Sequence, residues 1–164
     1  MGQHKHLVFI GLIGFLALLD PSIASAQLEM LHGLREAAAV VEDLNPGIDR
    51  DGSKKAMFQT DLESKLRMVG IRILPNEEMD SNLDAPFFYL QVDAFEPKPN
   101  YYVYSIRLTL IELVSLSRID VKVWAGTYDL PIVIGTARNW QEITNSSKDQ
   151  INRFVNDYLS ANPE

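Results

Sequence analysis

The residues of this sequence best suited to binding are aromatic. Tyr101, Tyr102 and Tyr104 open one run of β-forming residues, and Trp124 lies in the next such run. Tyrosine and tryptophan combine a large apolar ring with a polar tip, and for that reason they often anchor ligands and protein partners. They are also common in ordinary strands, where they pack against neighbours. We therefore treat these four residues, together with Trp140, as a candidate ligand or partner surface, with strand or core packing as the alternative.

Residues for nucleophilic, metal or nucleotide chemistry are scarce. Beyond residue 26 the sequence contains a single histidine, His32, and no cysteine. A Ser-His-Asp triad needs a rigidly held base, and zinc sites need three or four ligands, so we interpret His32 as a solvated residue near a fraying chain end. Glycine-rich nucleotide motifs are also missing. We expect no catalytic residue, no metal ligand and no cofactor.

The carboxylates are harder to dismiss. Four acidic residues crowd one loop at 77–84: Glu77, Glu78, Asp80 and Asp84. Carboxylate oxygens suit calcium, but solvated acidic loops are common, so calcium binding at this loop stays open. A pair of carboxylates could also serve a hydrolase if the two faced each other across a cleft, which spacing along the chain does not reveal.

The first 26 residues have the features of a secretory signal peptide. Lys5 precedes Leu7–Leu19, an unbroken run of apolar residues and glycine. This run is shorter than the roughly 20 residues that span a bilayer. Asp20-Pro21 ends it, and Ala24-Ser25-Ala26 places small residues where signal peptidase cleaves. We expect a soluble periplasmic or extracellular product that is not a lipoprotein, with an uncleaved anchor as the alternative.

Length and composition predict one globular domain over residues 27–164. The chain has 164 residues, of which 46% are hydrophobic and 23% charged, and its net charge is −7. A domain of this size buries enough surface to fold without disulfides. An acidic chain with no clustered lysine and arginine is a poor match for nucleic acid, because phosphate neutralisation needs a basic surface.

The first half of the domain predicts a strand, a helix and a strand. Residues 36–44 contain three alanines, which favour helix, but a valine pair and a following Asn-Pro-Gly turn favour strand. We predict a strand. Ser53 is a suitable helix cap, and the next apolar residues recur at helical spacing before a glycine stop at Gly70. Residues 71–74 then form a short apolar run. The stripe consists of Phe58, Leu62, Leu66 and Val69.

The second half predicts an antiparallel meander and a closing helix. Residues 87–95, 101–116 and 121–129 alternate or are β-rich, and short turns join them. This arrangement would place Trp124 beside the tyrosines of the preceding strand. Pro131 restricts residues 130–135 to an edge strand or a loop. Ser146 and Asp149 resemble a capping box that would begin the last helix after Trp140.

Three segments carry a resemblance to known proteins: VVEDL at 40–44, TDLESKLRMVGIRIL at 60–74 and FVNDYLSANP at 154–163. Together with the tyrosine-rich strand, they resemble a group of small exported bacterial proteins of unknown function. The strand–helix–strand start, over about residues 36–95, is similar in topology to the N-terminal domain of the periplasmic Tol–Pal propeller protein. The resemblance implies export and an envelope setting, and it carries no functional motif.

The sequence therefore predicts an α+β domain of order β-α-β-β-β-β-α, with a mostly antiparallel sheet and two helices packed on one face. The leading hypothesis is an exported, non-catalytic binding module that contacts another envelope protein through a sheet edge or the tyrosine-bearing strands. One alternative is a small-ligand binder with a pocket between helices and sheet, lined by Tyr102, Tyr104 and Trp124. The second alternative is a carboxylate-based hydrolase.

Overall fold

The computed structural model describes residues 26–49, 52–75, 78 and 84–163. The predicted signal peptide, 1–26, lies outside the described residues except for its last position, as does most of the acidic loop 77–84. The described part is α+β, which confirms the predicted fold class. Its main elements are β1 (Glu36–Val41), α1 (Ser53–Met68), β2 (Arg72–Ile73), β3 (Phe87–Lys98), β4 (Tyr101–Leu116), β5 (Val121–Asp129), β6 (Val133–Ala137) and α2 (Trp140–Ala161).

These strands form one sheet of order β2-β1-β3-β4-β5, with β6 also paired to β4. β1 runs parallel to both β2 and β3, because the helix α1 returns the chain to the starting edge. β3, β4 and β5 form the predicted antiparallel meander. Within the described residues, no helix has the length and hydropathy of a membrane span.

β1 is a strand, as predicted, and its alanines have a packing role. Ala37 and Ala38 point to opposite sides of the sheet, and both are almost fully buried, at 0% and 1% exposed. A strand covered on both faces does not show the alternation of a half-exposed strand. The alanines that resembled a helix signal are small residues inside a closely packed sheet.

α1 ends where the sequence predicted but begins differently. Phe58, Leu62 and Leu66 form its buried stripe, and Gly70 follows at φ 85°. Ser53 was predicted as the cap and is instead the first helical residue, after Gly52. The carboxylate of Asp49 accepts hydrogen bonds from the main-chain N–H groups of Lys54 and Lys55, at 3.0 and 2.8 Å. Asp49, which lies outside the helix, therefore caps the N-terminus of α1.

α2 begins about two turns before the predicted start. Its cap is Asn139, whose side chain accepts a hydrogen bond from the N–H of Glu142 at 3.1 Å. Glu142 in turn accepts from the N–H of Arg138, one residue before the cap, so the arrangement resembles a capping box shifted by one residue. The predicted box at Ser146 and Asp149 is wrong, since both residues lie inside the helix, and Trp140 is its first residue rather than a residue before it.

The misplaced start has a physical cause. Thr144, Ser147 and Gln150 are polar, yet each is 2% exposed or less on the inward face of α2. These residues interrupt the apolar periodicity that marks a helix in sequence. Only the later turns of α2, with Ile151, Phe154 and Tyr158, carry a clear apolar stripe.

The core lies between one face of the sheet and the two long helices. The predicted inward residues of β3 and β4 are buried there, and Phe88 meets Phe154 of α2 with ring centroids 4.5 Å apart. These inward residues are Phe88, Leu90, Val92 and Ala94 on β3, and Tyr104, Ile106, Leu108 and Leu110 on β4.

The residues before β1 are fixed to the end of α2, which corrects the expected fraying. Leu31 is fully buried. The side chain of Asn162 donates to the carbonyl of Leu31 at 2.9 Å and accepts from the N–H of Gly33 at 2.8 Å. His32, expected to be a solvated tail residue, is exposed but lies 3.1 Å from the carbonyl oxygen of Ala161.

β4 is shared between two strands along one side. Its first half, Tyr102 to Ile106, pairs with β6, and its second half, Thr109 to Leu116, pairs with β5. Pro131 lies between β5 and β6, so the predicted choice of edge strand or loop resolves to an edge strand that begins at Val133. On its other side, β4 pairs with β3 only as far as Ile111. The rest of β4 and most of β5 form a two-stranded extension, residues 112–125, which we call the β4–β5 arm.

Gly135 allows Tyr104 to pass beneath β6 and reach α2. A Cβ at Gly135 would lie 2.8 Å from the hydroxyl oxygen of Tyr104 and 2.9 Å from its Cζ. The same hydroxyl is hydrogen-bonded to Ser146 of α2 at 2.8 Å. β6 and the tyrosine ring therefore occupy one tightly filled space.

Replacing Gly135 with alanine should lower the free energy of unfolding by about 1–3 kcal/mol, because overpacking displaces the ring of Tyr104. Urea denaturation of purified protein would measure the change. Thr136→Ala is the matched control, since Thr136 points to the other side of the sheet opposite Val103. Equal stability of the Gly135→Ala variant and the wild type would show that the space beneath β6 is not tightly filled.

Candidate functional site

The candidate aromatic residues fall into two groups. Tyr104 is 9% exposed and its hydroxyl is bound to Ser146, so it joins β4 to α2. Trp140 lies at the start of α2 with its ring 5.9 Å from Phe58 and 6.3 Å from Tyr102. Tyr102, Tyr104 and Trp140 thus pack within or against the core between sheet and helices.

Trp124 lies on the other side of the sheet. It pairs with Leu113 of β4, far along the strand from the tyrosines, and its ring is 5.4 Å from Phe87. The predicted position beside the tyrosines is wrong, because β4 is long enough to pair with two strands in succession, and Tyr102 and Tyr104 pair with β6. Tyr102, Tyr104 and Trp124 therefore do not line one pocket. Tyr101 contacts the ammonium of Lys98 at 4.9 Å from the ring centroid.

The described acidic residues of the loop 77–84 are engaged in ion pairs. Glu78 accepts from Arg72 at 2.8 Å, and Asp84 accepts from Lys122 at 3.3 Å. In the parts of the chain that the structure describes, no three His, Cys, Asp or Glu residues form a group able to hold a metal ion.

The carboxylate of Glu63 has a pKa that departs from its usual value. Burial alone would raise the pKa of Glu63, but hydrogen bonds from Gln59 and Arg67 outweigh it and hold the pKa below its usual value. A general acid needs the opposite shift, since it must keep its proton near neutral pH. The interactions of Glu63 stabilise α1.

One open edge of the sheet is formed by β5 and β6. Among the described residues each of these strands pairs with β4 alone, so the N–H and C=O groups along their outer sides have no strand partner. The β4–β5 arm adds exposed apolar side chains to this edge. Val121 and Trp124 are 45% and 46% exposed. An open edge with apolar residues is a template for pairing with another chain.

A groove runs along the same edge between β6 and α2. Its volume is about 330 Å³, and it is lined by Val133 and by residues from successive turns of α2: Ser146, Asp149, Gln150 and Arg153. We call it the edge groove. Gln150 lies at its buried side, where its amide N–H donates to the carbonyl of Pro131 at 2.9 Å. This hydrogen bond fixes the bend that separates β6 from β5.

The outer face of the sheet beside β6 carries three exposed apolar side chains among polar ones. Phe95 and Val103 are directly opposite one another on β3 and β4. Ile134 of β6 lies diagonal to Val103, since its direct partner on β4 is Ser105. Ile134 is 77% exposed and Phe95 is 62% exposed. We call these three residues the outer patch. β6 thus has an apolar surface on one side of the sheet and the edge groove on the other.

Sequence reasoning left residues 130–135 as an edge strand or a loop, and it did not predict the groove. Pro131 excluded a central strand, because proline cannot donate to a central ladder. The groove depends on α2 beginning at Trp140, and the buried polar residues of its first turns concealed that start. An Asn-x-x-Glu pattern at residues 139–142 was the available signal.

Comparisons with known proteins indicate neither a family nor a function. No protein-family model and no curated protein sequence matches the chain. Two solved structures of the PelC dodecamer from Paraburkholderia phytofirmans are similar in outline. One of them, a leucine-to-methionine variant of that protein, has a TM-score of 0.43 at 16% identity and covers 76% of this chain and 90% of its own. The other has a TM-score of 0.44 at 14% identity, covering 77% and 87%. Neither is similar enough to indicate a function.

The two tryptophans should differ in their contribution to stability. Trp140→Ala removes a ring packed against the core and should lower the free energy of unfolding by about 3 kcal/mol or more. Trp124→Ala removes a half-exposed ring and should cost no more than about 1 kcal/mol. Chemical denaturation of both variants tests this assignment, and a larger loss for Trp124 would contradict it.

Tyr128 should make stability fall at alkaline pH. Burial raises the pKa of the Tyr128 phenol well above its usual value, and the hydrogen bond that the phenol donates to Asp157 at 2.6 Å raises it further. The unfolded chain releases this proton near pH 10 and the folded chain keeps it, so the associated stability is present below about pH 10 and is lost above it. Denaturation between pH 8 and 11 should show this decline, and Tyr128→Phe should make it shallower. An unchanged slope in the variant would assign the decline to other groups.

Proposed function

We propose that this protein is an exported, non-catalytic binding module that contacts another protein through the edge formed by β5 and β6. The observation that carries the proposal is that both strands pair with β4 alone among the described residues. A partner strand added there would gain main-chain hydrogen bonds along the edge. Export is expected from the features of residues 1–26.

The β4–β5 arm supports the same proposal. Beyond Ile111 it is a two-stranded ribbon, and such a ribbon is marginally stable in water unless something packs on it. Its apolar residues are at least partly exposed on both sides, including Val114 and Val123 on one side and Trp124 on the other. A partner that extends the sheet would cover these residues.

Proteins usually protect an open edge with charge, proline or a bulge. This edge has Lys122, and the pairing of β4 with β5 is irregular between Leu110 and Ile111. At the start of β5, this lysine is flanked by apolar residues: Val121 precedes it, and Val123 and Trp124 follow it. The protection is thus partial, as a binding edge requires.

Site-specific photocrosslinking in the envelope of the source cell tests the proposal. A benzoyl-phenylalanine residue at position 124 or 134 reports on the edge, and the same residue at Met68 is the control. Met68 is 76% exposed on α1, which packs on the sheet away from β5 and β6. We expect a discrete cross-linked product with a second protein from positions 124 and 134 and none from 68.

Two results would overturn the proposal. One is the same set of products from all three positions, which would indicate random collision. The other is the absence of a product from both edge positions when the cross-linker is active. A product with twice the mass of the chain would show that the edge joins copies of this protein, against the proposal of a different partner.

A further inference from the structure

We infer that the edge groove selects a partner strand of alternating character, with basic side chains turned towards α2 and apolar side chains turned towards the outer patch. This inference rests on the proposed function and adds the chemistry of the partner. It depends on three features beside β6: the charges of α2, a buried amide oxygen and the exposed apolar residues of the outer face.

α2 presents an acidic stripe along the edge. Residues 142, 146, 149, 150, 153 and 157 share one side of the helix, and contacts along its length place that side beneath β6 and β5. Ser146 meets Tyr104, Gln150 meets Pro131, and Asp157 meets Tyr128. The stripe has three carboxylates, those of Glu142, Asp149 and Asp157, and one cation, Arg153.

The charges nearest the groove are available to a partner. Asp149 and Arg153 are exposed, lie one turn apart, and form no ion pair within 4 Å with each other or with another described residue. Arg153 offsets Asp149 within the groove, so the preference for a cationic strand comes from Glu142 and Asp157 along the rest of the stripe and from the net charge of −7. The same field opposes a second copy of this chain, which would bring an identical negative charge.

Gln150 adds a polar requirement at the buried side of the groove. The residue is 1% exposed, and its amide N–H is used by the carbonyl of Pro131. Its Oε1 atom has no hydrogen-bond partner among the described residues. An unpartnered buried acceptor is costly, and a lysine or arginine side chain that enters the groove would supply the missing donor.

The outer face of the sheet determines which side chains the partner strand should carry on its other side. Successive side chains of a strand point to opposite sides of the sheet, so an added strand that turns one set towards α2 turns the next set towards Ile134. Ile134, Val103 and Phe95 are exposed there across three adjacent strands. Apolar side chains on the added strand would extend this patch and cover Ile134.

A labelled peptide with alternating valine and lysine, six residues long and blocked at both ends, tests the inference by fluorescence anisotropy with the full-length protein. We expect saturable binding that weakens as salt rises. The same peptide with glutamate for lysine should bind at least tenfold more weakly. A peptide with N-methylated backbone at alternate residues should lose binding, because strand addition needs main-chain N–H groups whereas attraction of charges alone does not.

Asp149→Lys should weaken binding of the lysine peptide by about fivefold or more, since it replaces an attraction with a repulsion. Glu29→Lys makes the same change of charge near the far end of α2 and should leave the affinity within twofold. Both positions are exposed, so unfolding is not expected from either substitution. Equal effects of the two substitutions would show attraction by net charge only and would overturn the inference.

The outcomes of the two experiments separate the inference from the proposed function. If the edge positions cross-link to a partner but the lysine peptide is not preferred, the proposed function stands and the basic partner strand is rejected. Equal binding of the N-methylated peptide rejects strand addition at β6. If neither cross-linking nor peptide binding occurs, both the proposed function and this inference fail.

Discussion

The structure depends on the length of β4. This strand has 16 residues, and it pairs with β3 on one side and with β6 and then β5 on the other. A strand of average length would serve one neighbour on each side. Because β4 extends beyond β3, the arm leaves the body of the sheet. Because β4 serves two strands in succession, the edge bends at Pro131, and this bend is the place where α2 meets the main chain.

Packing along α2 then joins the edge to the core. Several polar side chains of this helix have specific partners across the interface, whereas Ser147 Oγ and Gln150 Oε1 have none among the described residues. Ser146 reaches Tyr104, Gln150 reaches Pro131 and Asp157 reaches Tyr128. Each of these hydrogen bonds ends on a residue of β4, of β5 or of the bend before β6. The helix that completes the core is therefore also the element that positions the exposed edge.

The parts of the fold that could be predicted from sequence are those with local signals. Phe58, Leu62 and Leu66 repeat at helical spacing and Gly70 follows them, so α1 was recognisable. Leu90 and Val92 alternate with the polar residues Gln91 and Asp93, so β3 was recognisable as well. The start of α2 could not be placed from hydrophobic periodicity, because Ser147 and Gln150 are buried by contacts with residues distant in the chain.

The candidate site was less predictable than the fold. The aromatic residues remain a predicted surface, and their grouping depends on which strand faces which part of β4. Trp124 pairs with Leu113, whereas Tyr104 pairs with Gly135. No local pattern distinguishes these pairings, since register is set by the long strand and by the bulge near Leu110. The groove consists of residues from β6 and α2 that become neighbours only when the chain has folded.

The hydrogen bonds between the first and last described segments have a consequence for folding. Leu31 enters the core, and Asn162 and Tyr158 hold the main chain around it, so these contacts join residues separated by 124 to 131 positions. A chain that emerges gradually from a ribosome or a membrane pore cannot make them until nearly all of it is free. This end of the core can therefore close only when the last turn of α2 is available to pack on Leu31. Contacts of such long sequence separation also slow folding, because the loop between the two segments must close before they form.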